Sequence, residues 1–444
     1  MIYQVWLIHL HSLMVDIGRL NTISRSDKWP TTRPHNAHYL RPLLILYGIC
    51  ALIPGSLPIY TLDYFIREFP DYRPEFVFIV ILNIPLLIFM IGGVLFDFLL
   101  TTYSKIVVGW AGAMIGLIIL PFLPVLLSQA HAWPLTLWLL MCLSFFNSIY
   151  QNGVFGYAGN LGSHAMSSLL LGTALFGLMF WSLRIIIVVI FPPETHLDYG
   201  CIIFFIVAII FMAMTITWTY FIKSAELCHF DTQDCGIDNI DNYNSEVQLN
   251  QISDRNDNLD DEHQMSRSSI TVQTLDNEVS VFCQMYLKLL SIAFQISFTF
   301  FVTFLIFPGV ALSTPLFFGR DKIETTWLVI TVTSTLALFD TIGRLVADKI
   351  VIFNPDNIIL LTVGRWMFIY TFIQFALWDD MSSVFANDYL KLINLIVFSF
   401  THGYLSSCLM MFAPKMVNPQ HKEKAGMVTN CHLIAGIIWG RSVI

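Results

Sequence analysis

Leu336-Ala-Leu-Phe339-Asp340-Thr-Ile-Gly343-Arg344-Leu-Val-Ala-Asp348-Lys349 is the stretch from which the fold is read. It sets an acid and a base inside a run that otherwise has the composition of a membrane span. On a helix, Asp340, Arg344 and Asp348 stand four residues apart, so they share one face and the guanidinium can have a carboxylate on either side. A charge in hydrocarbon costs about 2.5–3.5 kcal/mol even on the lenient insertion scale, so such groups turn inward, pair, and line a cavity or pathway. The blander reading is a structural pair joining two helices, or a loop boundary in the case of Asp348 and Lys349.

The rest of the chain fits a membrane setting. Apolar residues make up 56% of it and charged ones 12%, about half the soluble norm. The net charge of −8 is concentrated, because Glu226 to Glu278 holds thirteen acids against two Arg, and the remainder is slightly basic. Nothing in this pattern points to nucleic acid. The eight Cys are scattered, mostly in apolar runs and without metal-ligand spacing, and read as small buried hydrophobes.

Residues 1–41 form an N-terminal segment whose first fifteen residues are apolar but too short and His-interrupted for a span, which suggests an interfacial helix. Arg19, Arg25, Lys28, Arg33 and Arg41 then place this segment in the cytoplasm by the positive-inside rule. Apolar runs predict six spans over 42–222, near 42–65, 76–98, 105–127, 134–158, 165–191 and 199–222. Five more are predicted over 283–444, near 284–313, 324–347, 356–377, 387–413 and 425–444. Between them, 223–282 is acidic, rich in Asn and Ser, and reads as a disordered cytoplasmic loop. Loop charges agree with this topology: Lys105, Lys223, Lys349, Lys415, Lys422 and Lys424 fall inside, and Asp71, Glu75, Glu194, Asp198, Asp379, Asp380 and Asp388 outside. The expected class is an all-α polytopic membrane protein of about eleven helices in a six-plus-five arrangement. Two similar bundles suit a carrier that works by alternating access.

Polar groups inside the spans are the candidate site. Span four carries Asn147-Ser148-Ile-Tyr150-Gln151-Asn152-Gly153, whose amides must point into the bundle, either to a ligand or to another helix. Gly172 to Gly177 in span five suggests close helix approach, and Arg184 near its end is a gating contact or a snorkelling residue. Arg365 lies deep in span nine and needs a partner such as Asp340 or a carbonyl. His402 in span ten titrates near neutrality and is a proton-relay candidate or a packing residue. Pro54, Pro58, Pro85, Pro121, Pro124 and Pro308 mark places for helices to bend. The chain has no Walker A loop, HExxH or Gly-x-Ser-x-Gly, so ATP-driven transport and hydrolysis are disfavoured. No enzyme activity, cofactor or metal is expected.

These pieces together resemble the equilibrative nucleoside transporter family. Phe339-Asp340-Thr-Ile-Gly343-Arg344 is similar to its Phe-Asp-x-x-Gly-Arg, and Gln151-Asn-Gly153-Val-Phe155-Gly156-Tyr-Ala158-Gly159 to its Gln-Gly-Ser-Leu-Phe-Gly-Leu-Ala-Gly. Phe307-Pro308, Arg365, Gly403-Tyr404-Leu405-Ser406-Ser407 with Pro414-Lys415, and Ala425-Gly426 match further family positions in order, over about residues 40–440. The resemblance implies an MFS-like fold and carriage of nucleosides or nucleobases, purines foremost, through a central site. It places Asp340 and Arg344 on ribose and base, and Gln151 on the base. Asn152, His402 and Leu52 join them as substrate-binding candidates, and Arg365, Arg184, Pro308 and Gly343 as structural or gating ones. The family's Leu-Pro-Trp-Asn appears here as Ile53-Pro54-Gly55-Ser56, so the Trp that packs on substrate is missing, and His402 stands where many members have Asn. The expected partners are a small-molecule nucleoside or nucleobase and membrane lipid, and the expected location is the plasma membrane, with an intracellular membrane as the alternative. Proton coupling, a carrier for another metabolite and a non-transporting receptor or scaffold stay open as alternatives.

Overall fold

The computed structural model describes residues 37–190, 193–234, 263–313, 325–377 and 387–442. The N-terminal apolar segment, the middle of the acidic loop and the acids Asp379 and Asp380 lie outside the described residues. Among the described residues every regular element is helical. The principal helices are α1 (Ala37–Tyr60), α2 (Pro74–Leu95), α3 (Thr102–Ile119), α4 (Gln129–Leu161), α5 (Ser163–Ile190), α6 (Pro193–Asp234), α7 (His263–Leu305) and α8 (Thr325–Lys349). They are followed by α9 (Ile358–Leu377), α10 (Asp388–Phe412) and α11 (Lys422–Ser442).

Among the described residues ten helical stretches are long and apolar enough to cross a membrane, six before the acidic loop and four after it. The eleventh expected span coincides with α11, which forms but is not among those ten; Lys422, Glu423, Lys424 and Arg441 crowd its two ends. A second difference concerns 223–282. Helix α6 runs on to Asp234 and α7 begins at His263, so the described parts of the presumed disordered loop are helical. Extending a helix already nucleated in the membrane adds one hydrogen bond per residue fixed, which polar composition alone does not forbid.

The segments up to Thr215 and from Leu289 onward cluster as one compact unit, and Ile216–Lys288 forms a second. Within the first, α2 illustrates how a membrane helix divides its surface. Phe78, Leu82, Leu86, Met90 and Val94 are buried at four-residue steps, while Phe76, Val80, Ile84 and Ile88 are exposed on the opposite face. Both faces are apolar, so burial follows protein contact and the exposed face suits lipid. From the second half of α7 onward, Phe298, Val302, Ile306, Leu328, Val332, Phe372, Leu395 and Phe398 form a shared apolar core for α7 to α10.

Helix approach is set where side chains vanish. A Cβ on Gly343 would come within 3.0 Å of the Phe400 carbonyl, and one on Gly403 equally close to the Asp340 carbonyl, so α8 and α10 touch backbone to backbone at the motif. Gly48 and Gly172 do the same for α1 and α5, whereas Gly177 has nothing within 4 Å and takes no part in the close approach expected of this stretch. Past Leu305 the chain turns as a π-helical segment, Ile306–Val310, in which Phe307 leaves the helix at φ −109° and ψ 133°. Pro308 disfavours helical backbone at the preceding residue, which accounts for that break.

Candidate functional site

Asp340 and Arg344 face inward from α8 and are 7% and 6% exposed. Their helical spacing brings Arg344 Nε to 3.1 Å from Asp340 Oδ2, and Arg344 Nη1 donates to the Leu170 carbonyl (3.2 Å) and Thr173 Oγ1 (3.3 Å) on α5. The guanidinium is thus partnered by one carboxylate rather than two. Asp348 instead sits at the end of α8, with Oδ2 2.6 Å from Arg41 Nη2 and Oδ1 3.8 Å from His164 Nδ1. Among the described residues Asp340 Oδ1 has no hydrogen-bond partner, though it is buried and 3.9 Å from His402 Nε2.

A network behind this pair holds His402 and Arg365. Arg365 is 1% exposed and donates from Nη2 to Thr303 Oγ1 (2.8 Å) and from Nη1 to Thr401 Oγ1 (2.8 Å) and the Phe398 carbonyl (3.2 Å). Its planar fork also lies 4.9 Å from the Phe398 ring centre, a cation–π placement. The partner expected at Arg365 is therefore a carbonyl and two hydroxyls, not Asp340. Thr303 Oγ1 donates to the Thr299 carbonyl (2.9 Å) while receiving Arg365, and His402 Nδ1 lies 2.9 Å away. When the Thr303 proton goes to Thr299, His402 donates from Nδ1–H and Nε2 keeps its lone pair; when it goes to His402 Nδ1, Nε2–H is turned toward Asp340. In the first of these tautomers Asp340 Oδ1 and His402 Nε2 face one another as two acceptors.

On α4, Gln151 is 2% exposed, its Nε2 donates to the Ala51 carbonyl (3.0 Å) and its Oε1 accepts from Asn430 Nδ2 on α11 (3.1 Å). Asn152, 1% exposed, donates to the Met90 carbonyl on α2 (3.1 Å), and its Oδ1 has no partner among the described residues. Leu52 is half-buried on α1, beside the carbonyl that Gln151 holds. Arg184 lies apart from this cluster, paired with Asp63 on the short helix Leu62–Glu68. Pro308 belongs to the π-helical turn rather than to the polar cluster.

Sequence reasoning did not pick out Thr173, Thr303, Thr401 or Asn430. Thr303 and Thr401 are unremarkable in apolar runs; only Thr-Asn-Cys-His at 429–432 was an available polar signal within a span. Nor did it anticipate that Lys105, expected in a loop, is 5% exposed and paired with Asp97, with Glu423 Oε1 3.6 Å from its ammonium and accepting from Thr102 (2.6 Å). Among the described residues no group of three His, Cys, Asp or Glu is placed to hold a metal ion.

Buried charges are held between helices in a molecule whose described residues include ten candidate spans, and its backbone resembles that of solved transporters. It is similar to the major facilitator superfamily transporter FucP in the outward conformation, with TM-score 0.56 and 13% identity over 93% of this chain and 92% of that one. It is also similar to the proton:xylose symporter XylE, with TM-score 0.58 and 12% identity over 91% and 87%. The fold is that of the major facilitator superfamily.

A profile described as "Nucleoside transporter" matches residues 137–444, and the chain belongs to that family. Curated relatives include equilibrative nucleotide transporter 1 of Arabidopsis thaliana, 22% identical over 91% of this chain and 84% of that protein. Equilibrative nucleoside transporter 4 of Danio rerio is 20% identical over 93% and 83%. Equilibrative nucleoside transporter 1 of Homo sapiens is 27% identical over a shorter stretch, 34% of each chain. The protein is a multi-pass integral membrane protein of a transporter family.

Proposed function

We propose that this carrier moves nucleosides or nucleobases, purines foremost, by alternating access, with Asp340, Arg344 and His402 at the sugar and Gln151, Asn152 and Leu52 at the base. The observation that carries the reading is Asp340 Oδ1, buried without a donor among the described residues, with His402 Nε2 3.9 Å from it. Vicinal hydroxyls supply two donors at about that spacing, and a buried carboxylate oxygen gains most from a charge-assisted bond. Arg344 holds the other carboxylate oxygen, so Asp340 is oriented before substrate arrives. Gln151 has both polar ends occupied, and a base reaching it exchanges with Asn430. Arg365 and Gly343 act structurally, fixing His402 and the α8–α10 contact, while Arg184 and Pro308 shape regions outside the polar cluster.

In this reading transport follows the substrate gradient and needs no metal or cofactor, and the protein works in the plasma membrane. Uptake of radiolabelled adenosine and hypoxanthine in expressing oocytes, with an unrelated sugar as control, tests it. Saturable purine uptake without sugar uptake is expected; sugar uptake alone, or none at all with the protein at the surface, counts against it. The approach of His402 to Asp340 also favours a second reading in which protons are co-transported. Purine accumulation that is unchanged by an imposed pH gradient would dismiss it.

A further inference from the structure

We propose that Arg441 and Tyr60 form a second base-binding position, which takes a 6-oxopurine by its O6 and N7 acceptors before the central site is reached. The inference rests on the nucleoside reading above and names the substrate class this position favours. Tyr60 is the last residue of α1, and Arg441 lies at the end of α11. Both stand at the end of the bundle opposite the one where Arg41 meets Asp348 and Lys105 meets Glu423. Aromatic rings connect Arg441 to the polar cluster. The His402 imidazole lies 4.8 Å from the Phe300 ring, edge to face, and Phe304 follows one turn later on α7 at 6.5 Å. The Arg441 guanidinium lies 4.9 Å from the Phe304 ring centre. A Cβ on Gly440 would come to 2.7 Å from the Phe301 carbonyl, so α11 rests directly on the α7 backbone here and sets the next residue over Phe304.

Two independent observations mark the position. Among the described residues the Arg441 guanidinium makes no hydrogen bond or ion pair, although it has only donors to offer. An arginine that merely snorkelled would turn to the headgroups. This one lies over Phe304 and interacts electrostatically with Tyr60, so it is turned into the bundle, toward α1. The second observation is Tyr60 itself. Its ring packs against Phe176 and Trp181 of α5 and Phe204 of α6, with centroids between 5.3 and 6.2 Å away, while its hydroxyl makes no hydrogen bond among the described residues. Donors without acceptors, set among aromatic rings, suit a planar ligand that carries adjacent acceptors on one edge. A 6-oxopurine does so with O6 and N7, the pair that a guanidinium fork binds bidentately. A 6-aminopurine sets an amine donor against the fork in place of O6. A free anion would shed its water against a single cation, which costs more than desolvating a neutral base.

The test is equilibrium binding of labelled inosine and adenosine to the purified full-length chain carrying Arg344→Ala, which removes the central charge pair. Saturable inosine binding is expected to survive in that background, with adenosine about ten-fold weaker, the range of one charge-assisted hydrogen bond. Adding Arg441→Met is expected to weaken inosine about ten-fold and to abolish the preference. Arg441→Lys keeps a charge without the fork and is expected to lose the preference as well. Gln151→Leu is the background if Arg344→Ala does not accumulate. Loss of all inosine binding in the folded background protein, inosine binding untouched by Arg441→Met, or equal weakening of both nucleosides would overturn the inference. So would a full inosine preference in Arg441→Lys. A wild type that binds neither nucleoside defeats the nucleoside reading itself.

Discussion

At Asp340 one carboxylate oxygen is neutralised by Arg344 and the other faces His402 with no donor, so the residue is both anchored and unfinished. Asp340→Asn keeps the shape and removes the charge, which leaves Arg344 buried without its counter-ion. Breaking a buried pair in this way costs about 3–5 kcal/mol, so a lower midpoint in detergent thermal unfolding is expected, together with loss of uptake. An unchanged midpoint would mean that water or lipid phosphate screens Arg344 and that the pair is not buried in the membrane. The pair itself was legible in the sequence, because four-residue spacing on a helix dictates contact whatever surrounds it. Asn430 was not: it meets Gln151 across 279 positions, and a lone amide in a span does not reveal what stands opposite. The pairing of Asp348 with Arg41 was hidden for the same reason, since local spacing suggested Arg344.

Helices α8 and α10 meet at Gly343 and Gly403, the two residues that frame the buried charges, and their carbonyls lie where a methyl group would stand. Gly403→Ala is therefore expected to push the helices apart and dislodge both Asp340 and His402. The checks are the yield of monodisperse protein, its thermal midpoint and uptake, with Gly177→Ala, which meets nothing within 4 Å, as the neutral control. Equal behaviour of the two variants would contradict the close approach. The apolar runs set the spans to within a few residues, since length and hydropathy are properties of the segment alone. What those runs left out is the continuation of α6 and α7 into the acidic stretch and the break of α7 at Phe307. Of these only the break had a sequence cause in view, Pro308.

The molecule's two families of spans are held together by polar links that collect near the chain ends predicted to be cytoplasmic. Arg41 reaches Asp348, and Lys105 and Thr102 reach Glu423, each joining a helix before the acidic loop to one after it. Alternating access requires such links to open. In the double variant Lys105→Gln with Asp348→Asn, spin labels at positions 103 and 424 are expected to show a longer mean distance than in the wild type. An unchanged distribution would mean that apolar packing alone keeps this end shut. Whether purine nucleosides cross by way of the α8 charge pair can be read from counterflow. Proteoliposomes of the full-length chain are loaded with unlabelled adenosine, and entry of labelled adenosine is followed for the wild type and for Arg344→Ala at matched protein content. A transient overshoot is expected in the wild type and is expected to disappear in the variant. An overshoot that persists in Arg344→Ala, with KM unchanged, would contradict it.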